Sequence, residues 1–209
     1  MRIRSRGGRL LLTAAAAAAL TVCLAPPAGA APPVTPPGGF VVSVVVATGS
    51  GCGGLVLTVS PDSTSFTVSY LNYTAQAGPG IPTAQHRKSC ALFLKLEVPA
   101  SFTYAVTRAT HVGAFTSIAK GSTAIEKARY QFQGDDGHVV GSEHQFPGPF
   151  DDPWQVSDQA TGASNFAQCG QRPLLAATSE LQIIGGQTTT SFIGLDSSVY
   201  SLEWKKCPA

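Results

Sequence analysis

No stretch of this 209-residue chain sustains an apolar repeat of 3.6 residues, so nothing in it reads as a packed amphipathic helix. After the first thirty residues there is also no apolar run near the roughly twenty residues that a membrane-spanning helix needs. The Gly-x-Ser-x-Gly elbow of many hydrolases is missing. So are the ligand spacings of an EF-hand loop and of a zincin helix, which leaves no motif that announces a reaction.

What is there begins with a leader. Arg2, Arg4, Arg6 and Arg9 precede an apolar run from Leu10 to Leu24, and Ala28-Gly29-Ala30 follows as a small-x-small cleavage site. Residues 1–30 are therefore expected to be a secretory signal peptide cut after Ala30, leaving a protein that is secreted, extracellular and without a transmembrane segment. The run is about fifteen residues long, too short for an anchor. Lipidation at Cys23 is the rival, but Val22 is bulkier than the small residue such processing prefers.

Removing the four leader arginines from 14 Lys+Arg leaves 10 against 12 Asp+Glu, a net charge of about −2. The basic balance belongs to the leader, and no nucleic-acid partner is expected. The cut also removes Cys23, the odd member of five cysteines. Cys52, Cys90, Cys169 and Cys207 remain as two pairs, each 38 positions apart, and read as two disulfides of an exported protein. Four cysteines allow three connectivities. Pairing Cys52 with Cys90 and Cys169 with Cys207 is the expectation, because it closes one local group of strands each; the nested alternative would join Cys52 to Cys207.

Residues 31–39 are rich in proline and are expected as a disordered leader to a single domain over 40–209. Within that domain, short runs rich in β-branched residues and phenylalanine alternate with Gly, Pro, Asp and Ser clusters, predicting an all-β sandwich of about ten short, mainly antiparallel strands. Leu55 to Val59 and Ser65 to Tyr70 flank a tight turn at Ser60-Pro61-Asp62-Ser63. From Cys90 to Val98, Leu92, Leu94, Leu96 and Val98 share a face with Cys90, so that sulfur is expected in the core. Ala124 to Arg129 admits a helical turn, and Asn72 to Ser89 reads as a long loop.

Several words in order, Gly51-Cys52, Ser60-Pro61-Asp62, Tyr73-Thr74-Ala75, Arg87-Lys88-Ser89-Cys90, Gly148-Pro149-Phe150, Cys169-Gly170 and Trp204-Lys205-Lys206-Cys207, make the chain resemble a known group. It is similar to the secreted four-cysteine proteins of domain-of-unknown-function family 4360, from about Val42 to Cys207. Gly53 and Ser89 depart from the proline and asparagine usual there. The resemblance implies secretion and a disulfide-linked β fold, and supplies no catalytic residues.

Three chemistries are open on the residues themselves. Asp135, Asp136 and His138, with Glu143 and His144 nearby, offer oxygen and nitrogen ligands for a metal ion, although solvated acidic loops account for them as well. Polysaccharide binding needs exposed planar aromatics with a polar rim; Tyr73 and Trp154 are the candidates, with Tyr70 and Tyr130 behind them and Asp151 and Asp152 at the rim. The competing role for each ring is core packing. Arg87-Lys88 suits an anionic partner such as an acidic glycan.

A hydrolase would require two carboxyls across a cleft, and Glu97, Glu126, Glu180 and Glu203 lie on scattered strands. Glu97 has Lys95 on its own face, which suggests a surface ion pair. The expectation is thus a non-catalytic extracellular module without cofactor that binds polysaccharide or a cell-surface glycan. A carbohydrate hydrolase with an unrecognised carboxylate pair is the first alternative, and a structural exported protein the second.

Overall fold

Alternation of apolar and polar residues is realised almost throughout as antiparallel sheet. The computed structural model describes residues 35–36, 38–135, 137–160, 165–185 and 188–208. The expected signal peptide lies outside them. Of the proline-rich leader, Pro36 is buried and its carbonyl accepts from Gly39 N–H at 3.1 Å, forming a turn just ahead of the first strand.

Thirteen strands occur among the described residues: β1 (Val41–Thr48), β2 (Leu55–Val59), β3 (Ser65–Tyr70), β4 (Thr74–Ala77), β5 (Arg87–Glu97), β6 (Phe102–Gly113), β7 (Thr116–Ser117), β8 (Thr123–Phe132), β9 (Val140–Pro147), β10 (Trp154–Gln159), β11 (Leu175–Ile184), β12 (Ser191–Gly194) and β13 (Ser197–Lys206). One five-stranded sheet runs β1-β5-β11-β8-β9 and a second runs β10-β6-β13-β3-β2. A small third sheet, β4-β12-β7, brings the total to three.

The fold is an all-β sandwich, with more strands than the ten expected. Two of the additional strands come from segments read as loops: β4 lies inside the Asn72–Ser89 connection, and β9 takes up part of the acidic stretch. Ala124–Arg129 is strand rather than helical turn, because its inner positions Ala124, Glu126 and Ala128 continue the period of Tyr130 and Phe132.

The two large sheets face each other over one core. Leu92 and Leu94 of β5 and Leu175 and Leu181 of β11 come from one side, and Phe66 and Val68 of β3 from the other; none exceeds 1% exposure. Rings meet across the layers, Tyr104 with Phe132 at 5.3 Å between centroids and Tyr130 with Tyr200 at 6.1 Å. The hairpin between β2 and β3 closes as the sequence suggests. The Asp62 carboxylate accepts from Ser60 Oγ at 2.6 Å, Thr64 Oγ1 at 2.8 Å and Thr64 N–H at 3.1 Å, and these bonds, Ser60 foremost, lower its pKa.

Cys52 is joined to Cys90 and Cys169 to Cys207, with Cα separations of 5.0 and 5.7 Å. Cys90 is 1% exposed and in phase with the leucines of β5. The first bridge ties the β1–β2 loop down onto that strand, where Gly51 N–H donates to Ser89 O at 2.8 Å. Glycine is required in that loop: a Cβ on Gly49, at φ +124°, would lie 2.2 Å from Ser89 O.

Loop closure of this length is worth about 4 kcal/mol at most per bridge. Replacing Cys52 and Cys90 together by alanine is therefore expected to lower the urea midpoint by the equivalent of about 2–4 kcal/mol, while far-UV circular dichroism keeps its β signature. An unchanged midpoint would contradict the role given to the bridge.

Candidate functional site

Every ring considered for sugar stacking is turned inward. Tyr73 is 2% exposed, and its hydroxyl donates to Ser179 O at 2.7 Å beneath the Cys52 loop. Trp154 is 4% exposed and lies against Phe146, with 5.2 Å between centroids. Tyr70 and Tyr130 are buried too; in fact all five tyrosines and both tryptophans are. Asp151 and Asp152 are exposed, but the ring they were expected to flank packs into the core. The correction has a simple cause: each ring sits at an inward-facing strand or strand-end position, and a large apolar side chain there gains more from the core than from solvent.

The metal candidates disperse in the same way. Asp135 accepts from His138 Nδ1 at 2.9 Å and from Asn165 Nδ2 at 2.5 Å, so both carboxylate oxygens are engaged. These bonds, the His138 one first, hold its carboxyl below the usual range. Asp136 lies outside the described residues. His144 turns away to Asp158, Nε2 to Oδ1 3.2 Å. Among the described residues no three His, Cys, Asp or Glu side chains converge in a way that would hold a metal ion.

Between the sheets lies a polar cluster that sequence reasoning missed. Glu126 on β8 is wholly buried, and neither carboxylate oxygen has a partner. His111 on β6, 1% exposed, receives or donates at Nδ1 with Ser198 Oγ at 2.8 Å, while its Nε2 stands 4.0 Å from Asp158 Oδ2. Burial, then the charge of Asp158, pushes the Glu126 carboxyl up from 4.5 to about 8; burial pulls the His111 imidazole down to about 4. The phase of Glu126 with Ala124, Ala128 and Tyr130 is the signal that places it inside, once that segment is read as strand.

A protonated carboxyl in the same layer as a second carboxyl has the composition of a catalytic pair. Here it is buried: Glu126, His111 and Asp158 are 0%, 1% and 6% exposed.

The outward face of the β1-β5-β11-β8-β9 sheet is different. Registers Thr48↔Ala91, Ala91↔Thr178, Thr178↔Arg129 and Arg129↔Gly141 lay one row across all five strands, and apart from Arg129 its residues are small. The neighbouring row runs Ser89, Glu180, Lys127, Glu143. The low row and its taller neighbours form an open groove of about 540 Å³. Arg87, Lys127 and Arg129 bring three cations to it against one lining carboxylate, Glu180. Arg87 pairs with Glu180, and Lys127 with Glu143 at 2.8 Å. Lys88, considered with Arg87 in the sequence, is not among the lining residues.

Fold and groove together define a disulfide-stapled β-sandwich with a polar, cation-lined trough on one sheet. Comparison with known proteins gives the grouping. The chain belongs to the family described as Domain of unknown function (DUF4360), which matches residues 38–207. A protein of Arthroderma benhamiae named "Uncharacterized secreted protein" is 27% identical over 169 residues, spanning 76% of this chain and 68% of its own length.

Solved structures give only distant likenesses. The arabinose-bound MgGH51 α-L-arabinofuranosidase has a TM-score of 0.27 at 16% identity, over 78% of this chain and 23% of its own. The bacteriophage CBA120 tailspike protein 4 domain has 0.27 at 12%, over 80% and 19%. The family 11 carbohydrate-binding module of Clostridium thermocellum has 0.26 at 7%, over 78% and 88%. The chain thus spans about a quarter or less of the first two.

The buried pair makes a prediction about pH. An acid whose folded pKa is raised stabilises the fold while protonated, and that stability is lost as pH rises from the unfolded towards the folded value. His111 acts oppositely, but only between about 4 and its ordinary 6.5. Between pH 6.5 and 8 the Glu126 effect stands alone, so the melting temperature should fall across that window and cease to fall in Glu126→Gln. A flat wild-type profile would contradict the burial of an unpaired carboxyl.

Proposed function

We propose that this chain is a secreted, non-catalytic module that holds an acidic polysaccharide in the groove on the outer face of the β1-β5-β11-β8-β9 sheet. Export is supported by the two disulfides and by the secreted relative. The observation that carries the reading is the charge of the groove: three cations stand against Glu180 in its lining and Glu143 at its edge, on a chain whose expected mature net charge is about −2. Thr48, Ser89 and Thr178 add hydroxyls along the same surface. Strands spaced about 4.8 Å apart make a five-stranded face roughly 19 Å across, which suits a chain-like ligand.

Hydrolysis is disfavoured by where the acids stand. A glycosidase needs a protonated carboxyl within about 5–10 Å of a second one across its cleft. On the outer face Glu180 is paired with Arg87, and hydrogen bonding to Lys127 lowers the pKa of Glu143. The carboxyl that stays protonated, Glu126, is on the opposite face of the same strand, β8. Acid and groove are separated by the sheet itself.

The test is affinity electrophoresis through gels containing polygalacturonate or neutral dextran. Polygalacturonate should retard the protein and dextran should not. Lys127→Ser and Arg129→Ser should each weaken retention roughly tenfold, the effect of about 1.4 kcal/mol from one charge-assisted contact. Added salt should weaken it further. Equal retention by dextran, or full retention by the double variant, would refute the reading.

A further inference from the structure

A second cavity, of about 550 Å³, opens where β8 ends and the segment before β11 crosses the rim of the sandwich. We infer that this rim cavity is a binding site for a neutral sugar, separate from the cationic groove and independent of whether that groove binds anything.

The floor is held in place by the backbone. Ala167 N–H donates to Tyr104 O at 3.0 Å, and Thr103 Oγ1 donates to Ala167 O. Gln133 N–H donates to Leu174 O at 2.8 Å, and Gln171 N–H to Gln168 O at 3.0 Å. The Cys169–Cys207 bridge fixes the same segment to the end of β13. The lining is therefore pre-organised, which lowers the entropy cost of binding.

The chemistry of the lining selects the ligand. Gln133, Gln168 and Gln171 bring three side-chain amides, each able to donate and to accept, as sugar hydroxyls do. Asp135 supplies a carboxylate already oriented by Asn165 and His138, and its charge opposes a second anion. Phe166 contributes an aromatic surface, with Lys205 Nζ over the ring 5.6 Å from its centroid. An aromatic wall, amides and one fixed carboxylate match a ring of hydroxyls with an apolar C–H face. The volume lies within the roughly 300–1,000 Å³ of small-molecule sites. Nothing here resembles the groove, where cations dominate.

Titration calorimetry of the mature protein with glucose, mannose, galactose, xylose and N-acetylglucosamine tests this. At least one sugar should bind, and the affinity should drop fivefold or more in Gln168→Ala/Gln171→Ala, whose exposed positions leave the melting temperature unchanged. Arg129→Ser should bind that sugar as the wild type does. No binding by any of the five, binding that survives the glutamine variant, or loss in Arg129→Ser would each overturn the inference. Because the two sites are tested with different ligands and variants, failure of one is distinguishable from failure of the other.

Discussion

The register between β5 and β11 is the constraint on which the rest of the structure depends. Cys90 stands opposite Ser179, and from that pairing every second residue of both strands is assigned to core or to solvent. A slip of one residue would exchange the two faces, exposing Leu92, Leu94 and Leu181 and burying Arg87 and Glu180. The Cys52 bridge opposes such a flip of β5, because Cys90 is held facing the core by the β1–β2 loop, which Gly49 allows to lie directly on β5. Core and groove are thus two consequences of one alignment.

The same alternation accounts for the unusual polarity of the interior. β8 places Lys127 and Arg129 outside and Glu126 inside, and β6 and β10 bring His111 and Asp158 to the same layer. Unpaired buried polar groups cost stability. Here the cost is limited by neutralisation, since Glu126 keeps its proton and His111 gives its up. Ser198 links this cluster onward, bonded to His111 and lying 3.4 Å from the Tyr70 hydroxyl, so polar contacts run deep into an otherwise apolar sandwich. The arrangement has the ingredients of acid–base chemistry, held between the two sheets.

Local pattern made much of this legible. β2 and β3 occupy the residues that alternation and the Pro61-Asp62 turn predict, because both signals are short-range and agree. The inward sulfur of Cys90 followed from its phase with three leucines. The burial of the aromatic rings was not legible in the same way. Whether Tyr73 or Trp154 faces water depends on what covers it: for Tyr73 the glycine loop held by Cys52, for Trp154 Phe146 on a strand that the sequence presents as an acidic loop. Likewise Arg129, Thr178 and Ala91 are far apart in sequence, and only the register makes them one row. The groove is a product of pairing between distant segments, which no single run of residues encodes.

The central claim is that the outer face of the β5-β11-β8 strands is the ligand surface and that the buried acid is not. Backbone amide chemical-shift mapping with a short oligogalacturonate tests it most directly. The account predicts perturbations concentrated on Arg87, Ser89, Thr178, Lys127 and Arg129. Perturbations centred on Ser142, His144 and Asp158 at the seam between the sheets, with the outer face silent, would contradict it.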